Sequence, residues 1–314
     1  MFFDIQIKII YKEAAMIDAK IKTLLKVYET RNFTEAAQKL SLTQPAVSHH
    51  IKMLEEELGI RIFDRRNGKL VVTWQGEEVV KCAKKMMGLY NNLVHGLNDC
   101  RELVSHLTIG VTHTSESNEI PEVLAKYCAE NENINIKMIT NSINNLYNKL
   151  KNYEIDMAVV EGRIADPGIR YIMLDTDYLV LAVSVKHPFA KRSMVTLNEL
   201  KKERMILRLP NSGTRSLFTA HLESNNMSID DFNIVLEIDN IATIKDLICR
   251  DFGVSILPRS ACLDELKKKK MAVLPLENLS MMREINLAYQ ADFAQTDILQ
   301  GIVRCYKETH RPYL

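Results

Sequence analysis

Gln44, Ser48, His49 and Lys52 follow one another at intervals of four, one and three residues, which on an α-helix gathers them on one face. An amide, a hydroxyl, an imidazole and an ammonium in a row supply the donors and mixed donor-acceptors that read base edges in the DNA major groove. Arg65, Arg66 and Lys69 flank Asn67 and Gly68, a pair that supplies the positive φ of a tight hairpin turn. Basic side chains at such a tip can hold phosphates. A second polar set follows short apolar runs: Thr112, His113, Thr114 and Ser115 after LTIGV, Asn141 and Ser142 after INIKMI, Glu161 after IDMAVV, and Asn211, Ser212, Thr214 and Arg215 in NSGTR. Hydroxyls, amides and one arginine at helix starts suit a small anion such as a carboxylate. Arg215 would make the charged contact, with Thr114 and Ser142 as orienting donors. Taken singly, each Ser or Thr is better explained as a helix N-cap, and only the convergence of three such sets favours a ligand. Glu161 favours instead a ligand with a cationic group, which Arg208 at the end of RMILR would counter.

The first set needs two short helices meeting at a tight turn, and Thr34 to Leu58 has that pattern. Thr34 is placed to cap the first helix, the small pair Ala36 and Ala37 allows close approach, and Leu40 closes its apolar face. Ser41 and Leu42 make the turn. Thr43 caps the second helix, with Pro45 in the first turn, where a missing N–H costs nothing. Val47, Ile51, Leu54 and Leu58 then face inward. A plain helical hairpin would share this pattern, but the flanks separate the two. Ile21, Leu24, Leu25 and Tyr28 predict one more amphipathic helix upstream, with Phe33 at the joint, and LGIRIFDRRNGKLVVTWQG downstream predicts strand, basic turn, strand.

The order helix, helix-turn-helix, LEEELGIRIF, Arg65 and Thr73-x-x-Gly76 resembles the LysR-type transcriptional regulators, from Lys20 to about Val80. The resemblance implies a winged helix-turn-helix over 16–74 that binds double-stranded DNA at an interrupted palindrome. Thr43, Gln44, Pro45, Ser48, His49 and Lys52 would meet it from the recognition helix, and Arg65, Arg66 and Lys69 from the wing. One departure stands out: many members carry Arg where this chain has His49.

Composition agrees. A chain of 314 residues that is 46% hydrophobic has room for two or three domains with a sizeable core. The net charge is +1 overall. The stretch 16–74 holds 10 Lys and Arg against 7 Asp and Glu, a local +3 that predicts modest, salt-sensitive non-specific DNA affinity. The cysteines 82, 100, 128, 249, 262 and 305 show no metal spacing and read as reduced cytoplasmic thiols, with Cys249 and Cys262 the pair to consider for a redox sensor. The histidines form no HExxH, so neither metal nor cofactor is expected. Residues 1–15 are too short and too charged to span a membrane, and Asp4, Lys8 and Lys12 interrupt any export signal. They are expected to be an extension, because the family's chains usually begin near Met16.

Over 75–105 apolar residues recur every three or four positions, at Val79, Ala83, Met86, Tyr90, Leu93, Leu97, Cys100 and Val104. That seam exceeds what a small domain can bury. The resemblance implies a linker helix pairing antiparallel with another subunit's to form a homodimer, two of which join as a homotetramer; packing on its own C-terminal domain is the alternative. From Leu107 short apolar strands alternate with helices, predicting parallel βαβ units in an α/β fold. The order is LTIGV, a helix from about Asn118, INIKMI, a helix over Leu146 to Leu150, IDMAVV, IRYIML and YLVLAVSV. RMILR, a helix from Thr214, IVLEI, a helix over Ile241 to Phe252, VSILP, REINLAYQ and a last helix from Thr296 to Thr309 complete it. The pattern resembles the family's periplasmic-binding-protein-like effector domain over 106–314, with lobe I at 106–177 and 283–314 and lobe II at 178–282. A cytoplasmic regulator switched by a small-molecule co-inducer, with RNA polymerase a further possible partner, accounts for every segment. A solute-binding module accounts only for Leu107 onward, and an enzyme using the cleft lacks a nucleophile with an activating base.

Overall fold

The computed structural model describes residues 16–277 and 280–309; the extension expected over 1–15 lies outside them. The chain divides into two units, Met1–Glu102 and Leu103–Leu314.

In the first unit, helix Ala19–Thr30 buries Thr23, Leu24 and Val27. Helix Phe33–Leu40 is capped by Asn32, whose Oδ1 accepts from the N–H groups of Thr34 (2.8 Å) and Glu35 (3.2 Å). The expected cap, Thr34, is already inside the helix, because Asn32, two residues earlier, supplies the side-chain acceptor for the first free N–H groups. Ser41 turns the chain at φ 56°, and Thr43 caps helix Gln44–Leu58 by accepting from Ala46 N–H, with Pro45 in the first turn. Val47, Ile51 and Leu54 are buried, but Leu58 is 47% exposed. It is the last helical residue before left-handed Gly59, and the apolar stripe has run past the core by then.

Strands β1 (Phe63–Arg66) and β2 (Lys69–Val72) pair antiparallel around Asn67 (φ 50°) and Gly68 (φ 74°), the backbone that a two-residue primed turn requires. The base of this wing is tied to the recognition helix by Glu55, whose Oε1 accepts from Ile62 N–H (2.7 Å) and Phe63 N–H (3.2 Å). Thr73 donates through Oγ1 to Arg61 O (2.6 Å) and accepts from Gly76 N–H (2.9 Å), so it starts helix Trp74–Glu102. A side chain at Gly76 would run into Ile62 O; hence Thr-x-x-Gly at this joint. Val80 and Ala83 pack into the unit's core, whereas Met86, Leu89, Leu93 and Leu97 further along are 43–49% exposed. At 29 residues this helix extends about 43 Å.

The second unit is built on two lobes. In the first, β3 (Ser105–Val111) lies between β4 (Ile134–Thr140) and β5 (Met157–Glu161), all parallel. The last strand, Met282–Gln290, runs antiparallel between β5 and the first half of β6 (Ile169–Ser184). The sequence predicts two strands where β6 is one, because Thr176, Asp177 and Tyr178 go on pairing with Glu284, Arg283 and Met282. Beyond Tyr178 the same strand enters the second lobe, where Met205–Arg208 and Ile234–Ile238 form a parallel pair, β7 and β8. Ser255–Pro258, β9, and Met271–Leu274, β10, flank the end of β6, and the last strand is thus β11. β10, between the lysine run and Pro275, has no counterpart in the sequence pattern; the exposed Lys267 to Lys270 precede it as a solvated face. The helix expected from Asn118 is Ile120–Glu130, after a single turn at His113–Glu116, and the one expected to reach Phe252 ends at Cys249. Each lobe has its own core, around Ile109, Leu287 and Ile302 in one and Leu181, Phe218 and Ile256 in the other. A Cβ at Gly110 would lie 2.5 Å from Leu146 Cδ2, so only glycine lets helix Ile143–Lys151 sit this close to β3.

Candidate functional site

On the helix Gln44–Leu58 the face opposite Val47, Ile51 and Leu54 presents Gln44, His49 and Lys52 to solvent, with Ser48 half-buried between them. Gln44 Nε2 donates to Ser48 Oγ (2.8 Å), which sets the amide's orientation, and Lys52 is 3.5 Å from Glu56. Exposed ion pairs of this kind contribute little, so the ammonium is available to a phosphate. Arg65, Arg66 and Lys69 are exposed at the wing, and Gln44, Ser48, Lys52 and Arg65 line one groove between wing and helix. Thr43 and Pro45 are exposed at the helix start. Eight of the nine residues singled out in the sequence are exposed, and four of the nine line that groove.

In the second unit a cleft opens where strands end. Thr112, His113 and Thr114 follow β3, Asn141 and Ser142 follow β4, and Glu161 ends β5. From the other lobe come Arg208 at the end of β7, Asn211, Ser212 and Gly213 at the start of helix Gly213–Ser224, and Asp239 just after β8. This is the carboxyl edge of both parallel sets, the usual ligand position in open α/β sheets. The two walls touch: a Cβ on Gly213 would meet Ile143 Cδ1 at 3.1 Å, and His113 Nε2 lies 3.5 Å from Asp239 Oδ2. Arg208, 3% exposed, donates from Nη2 to Asp239 Oδ1 at 2.8 Å, while its Nε is buried without a hydrogen-bond partner. Glu161 Oε1 accepts from Thr112 Oγ1 (2.7 Å) and Ser115 Oγ (3.2 Å). Ser142 makes no capping bond, whereas Ser212 Oγ accepts from Arg215 N–H.

Three of the expected site residues lie behind this wall. Ser115 is fully buried under Glu161, Thr214 is 2% exposed, and Arg215 is 7% exposed with Nη2 at 3.3 Å from Glu237 Oε1. Arg215 sits three residues into its helix, and its guanidinium packs toward β8 rather than into the cleft. Desolvation lowers its pKa from the ordinary arginine value, with Glu237 acting against it. Among the residues lining the cleft the guanidinium is therefore that of Arg208, expected from the sequence only as a counterweight to Glu161. Asp239 was missed altogether. The same carboxyl-end rule, applied to IVLEI, would have found it.

A family model described as the LysR substrate binding domain matches residues 101–311, and one described as bacterial regulatory helix-turn-helix protein, lysR family, matches residues 19–77. The chain belongs to the LysR family. Among curated relatives it is similar to a probable RuBisCO transcriptional regulator of Thalassiosira pseudonana, 26% identical over 268 residues, 83% of this chain and 87% of that one. It is also similar to the HTH-type transcriptional regulator CysL of Bacillus subtilis strain 168, 24% identical over 295 residues, 94% and 98% of the two chains. A solved structure of full-length CbnR complexed with its target DNA shares the fold, with a TM-score of 0.63 at 16% identity over 92% of this chain and 98% of that one. The protein is therefore a transcriptional regulator, not an enzyme, with a helix-turn-helix unit for DNA and an effector-binding unit. Among the described residues no helix is long and apolar enough to cross a membrane.

For this LysR-family regulator the redox alternative meets a physical obstacle. Cys262 is fully buried, and burial pushes its thiol up to about 12; Cys249 is raised for the same reason. Burial thus holds Cys262 in the unreactive thiol form at pH 8. Native chain treated with iodoacetamide at pH 8 should therefore show exposed Cys82 modified and Cys262 intact until denaturant is added. Rapid modification of Cys262 in the folded protein, read by peptide mass spectrometry, would contradict this.

Proposed function

We propose that this regulator acts in the cytoplasm as a homotetramer, two dimers each joined through the helix Trp74–Glu102, on an interrupted palindrome. A small acid bound in the cleft of the second unit is its co-inducer, and RNA polymerase is a further partner at the promoter. The observation that carries this is the convergence of polar groups from both lobes on one cleft, with the buried cation Arg208 on its wall. A ligand touching both walls favours the closed form, and only such differential affinity can move the equilibrium. Closure changes how effector units meet, and so the spacing of DNA-binding dimers and the bend between them.

The DNA half of the proposal is tested on the operator. Arg65→Ala should weaken binding to all sequences about equally and flatten the salt dependence by about one unit of slope, as loss of one phosphate contact does. Gln44→Ala should instead relax base choice. Unchanged operator affinity in both variants, measured by fluorescence anisotropy across salt concentrations, would rule out this docking.

A further inference from the structure

We propose that the co-inducer is a zwitterion of the amino-acid class, its carboxylate held by Arg208 and its ammonium by Asp239 and Glu161; this rests on the cleft being the effector site. The charges on the walls do not match a simple anion. Arg208 is the guanidinium that lines the cleft, and it is already 2.8 Å from the Asp239 carboxylate, while Glu161 supplies a second carboxylate from the opposite wall. An anion drawn to Arg208 would displace Asp239 and leave two carboxylates facing each other across a closing, water-poor space, where like charges repel strongly. A ligand carrying both signs reverses this. Its carboxylate takes the place of Asp239 on Arg208 and reaches the buried Nε, which has no other acceptor. The N-terminus of the 12-residue helix behind Ser212 and Gly213 adds favourable N–H groups.

The ammonium then meets the released Asp239, which is half-exposed with its other oxygen 3.5 Å from His113 Nε2, and Glu161. Glu161 is preset for the task, since Thr112 and Ser115 fix its Oε1 by donating hydroxyl hydrogen bonds. Glu161 comes from one lobe and Arg208 from the other, so one bipolar molecule neutralises both walls at once. That is the differential contact that closure requires. Contact between Ile143 and Gly213 keeps the space short, which selects ligands with the two charges a few bonds apart.

The test uses the full chain, titrated by calorimetry with the twenty common α-amino acids, each beside its deaminated carboxylic acid and its decarboxylated amine. At least one amino acid should bind, and at least tenfold more tightly than either of its own analogues. Glu161→Gln should shrink the lead of that amino acid over its deaminated acid, and Arg208→Ala should abolish binding. The zwitterion is overturned if no amino acid binds, or if a deaminated acid binds as tightly as its parent; acid binding that Arg208→Ala removes would leave the cleft standing as the effector site. Binding that neither Arg208→Ala nor Glu161→Gln alters would instead remove the cleft itself.

Discussion

Asp177→Ala should destabilise the effector-binding unit by about 3–5 kcal/mol, the range for removing one partner of a buried ion pair. Asp177 sits where β6 passes from one lobe to the other and is 4% exposed. Its carboxylate accepts from Ser260 Oγ (2.7 Å), Ser260 N–H (3.2 Å) and Tyr178 N–H (2.9 Å). Across the strand pair lies Arg283, with Nη2 at 3.6 Å and a side chain only 7% exposed. None of the three guanidinium nitrogens of Arg283 makes a hydrogen bond. Asp177 is therefore the group that offsets this buried cation, and alanine would strand the charge and orphan Ser260 together. Urea unfolding followed by circular dichroism should show the effector unit's transition moving to markedly lower denaturant. A loss below about 1 kcal/mol would mean that Arg283 is solvated or compensated in some other way.

Leu93→Glu combined with Leu97→Glu should split the dimer. Both leucines are almost half-exposed on a helix whose first turns alone are held by the core of its own unit. Exposed leucines at Leu89, Leu93 and Leu97 with Met86 make a continuous apolar stripe, and a stripe of that length is stable when a partner helix covers it. Pairing would bury four new carboxylates per dimer, each costing several kcal/mol when desolvated without a counter-ion. Light scattering at micromolar concentration should report loss of the tetramer for the double variant, leaving nothing larger than a pair joined through the effector units. An intact tetramer would place the interface elsewhere.

The DNA-binding unit was readable because its signals are local. Caps, the Asn67-Gly68 turn and helical spacing act within a few residues, and the shift from Thr34 to Asn32 is an error of two positions. Leu58 was misjudged because periodicity does not say where a core ends. The effector unit depends on contacts distant in sequence. That Asp177 would pair with Arg283 and keep β6 continuous follows from a register set by a strand over a hundred residues away. The strand-end rule located most cleft residues, but a hydroxyl at a helix start looks the same whether it caps, like Ser212, or stays uncommitted, like Ser142. The direction of a long side chain is hidden too, which is why Arg215 was chosen over Arg208.

In the proposed switch, occupancy of the cleft controls the DNA complex. This control is tested most directly by following the bend of an operator labelled at both ends, by energy transfer, while a ligand found by thermal shift is titrated into wild-type and Arg208→Ala regulator. The wild-type complex should change its bend at ligand concentrations that saturate the cleft, and the Arg208→Ala complex should show no change at a hundredfold more. Equal responses from both proteins at the same concentrations would contradict control through this cleft.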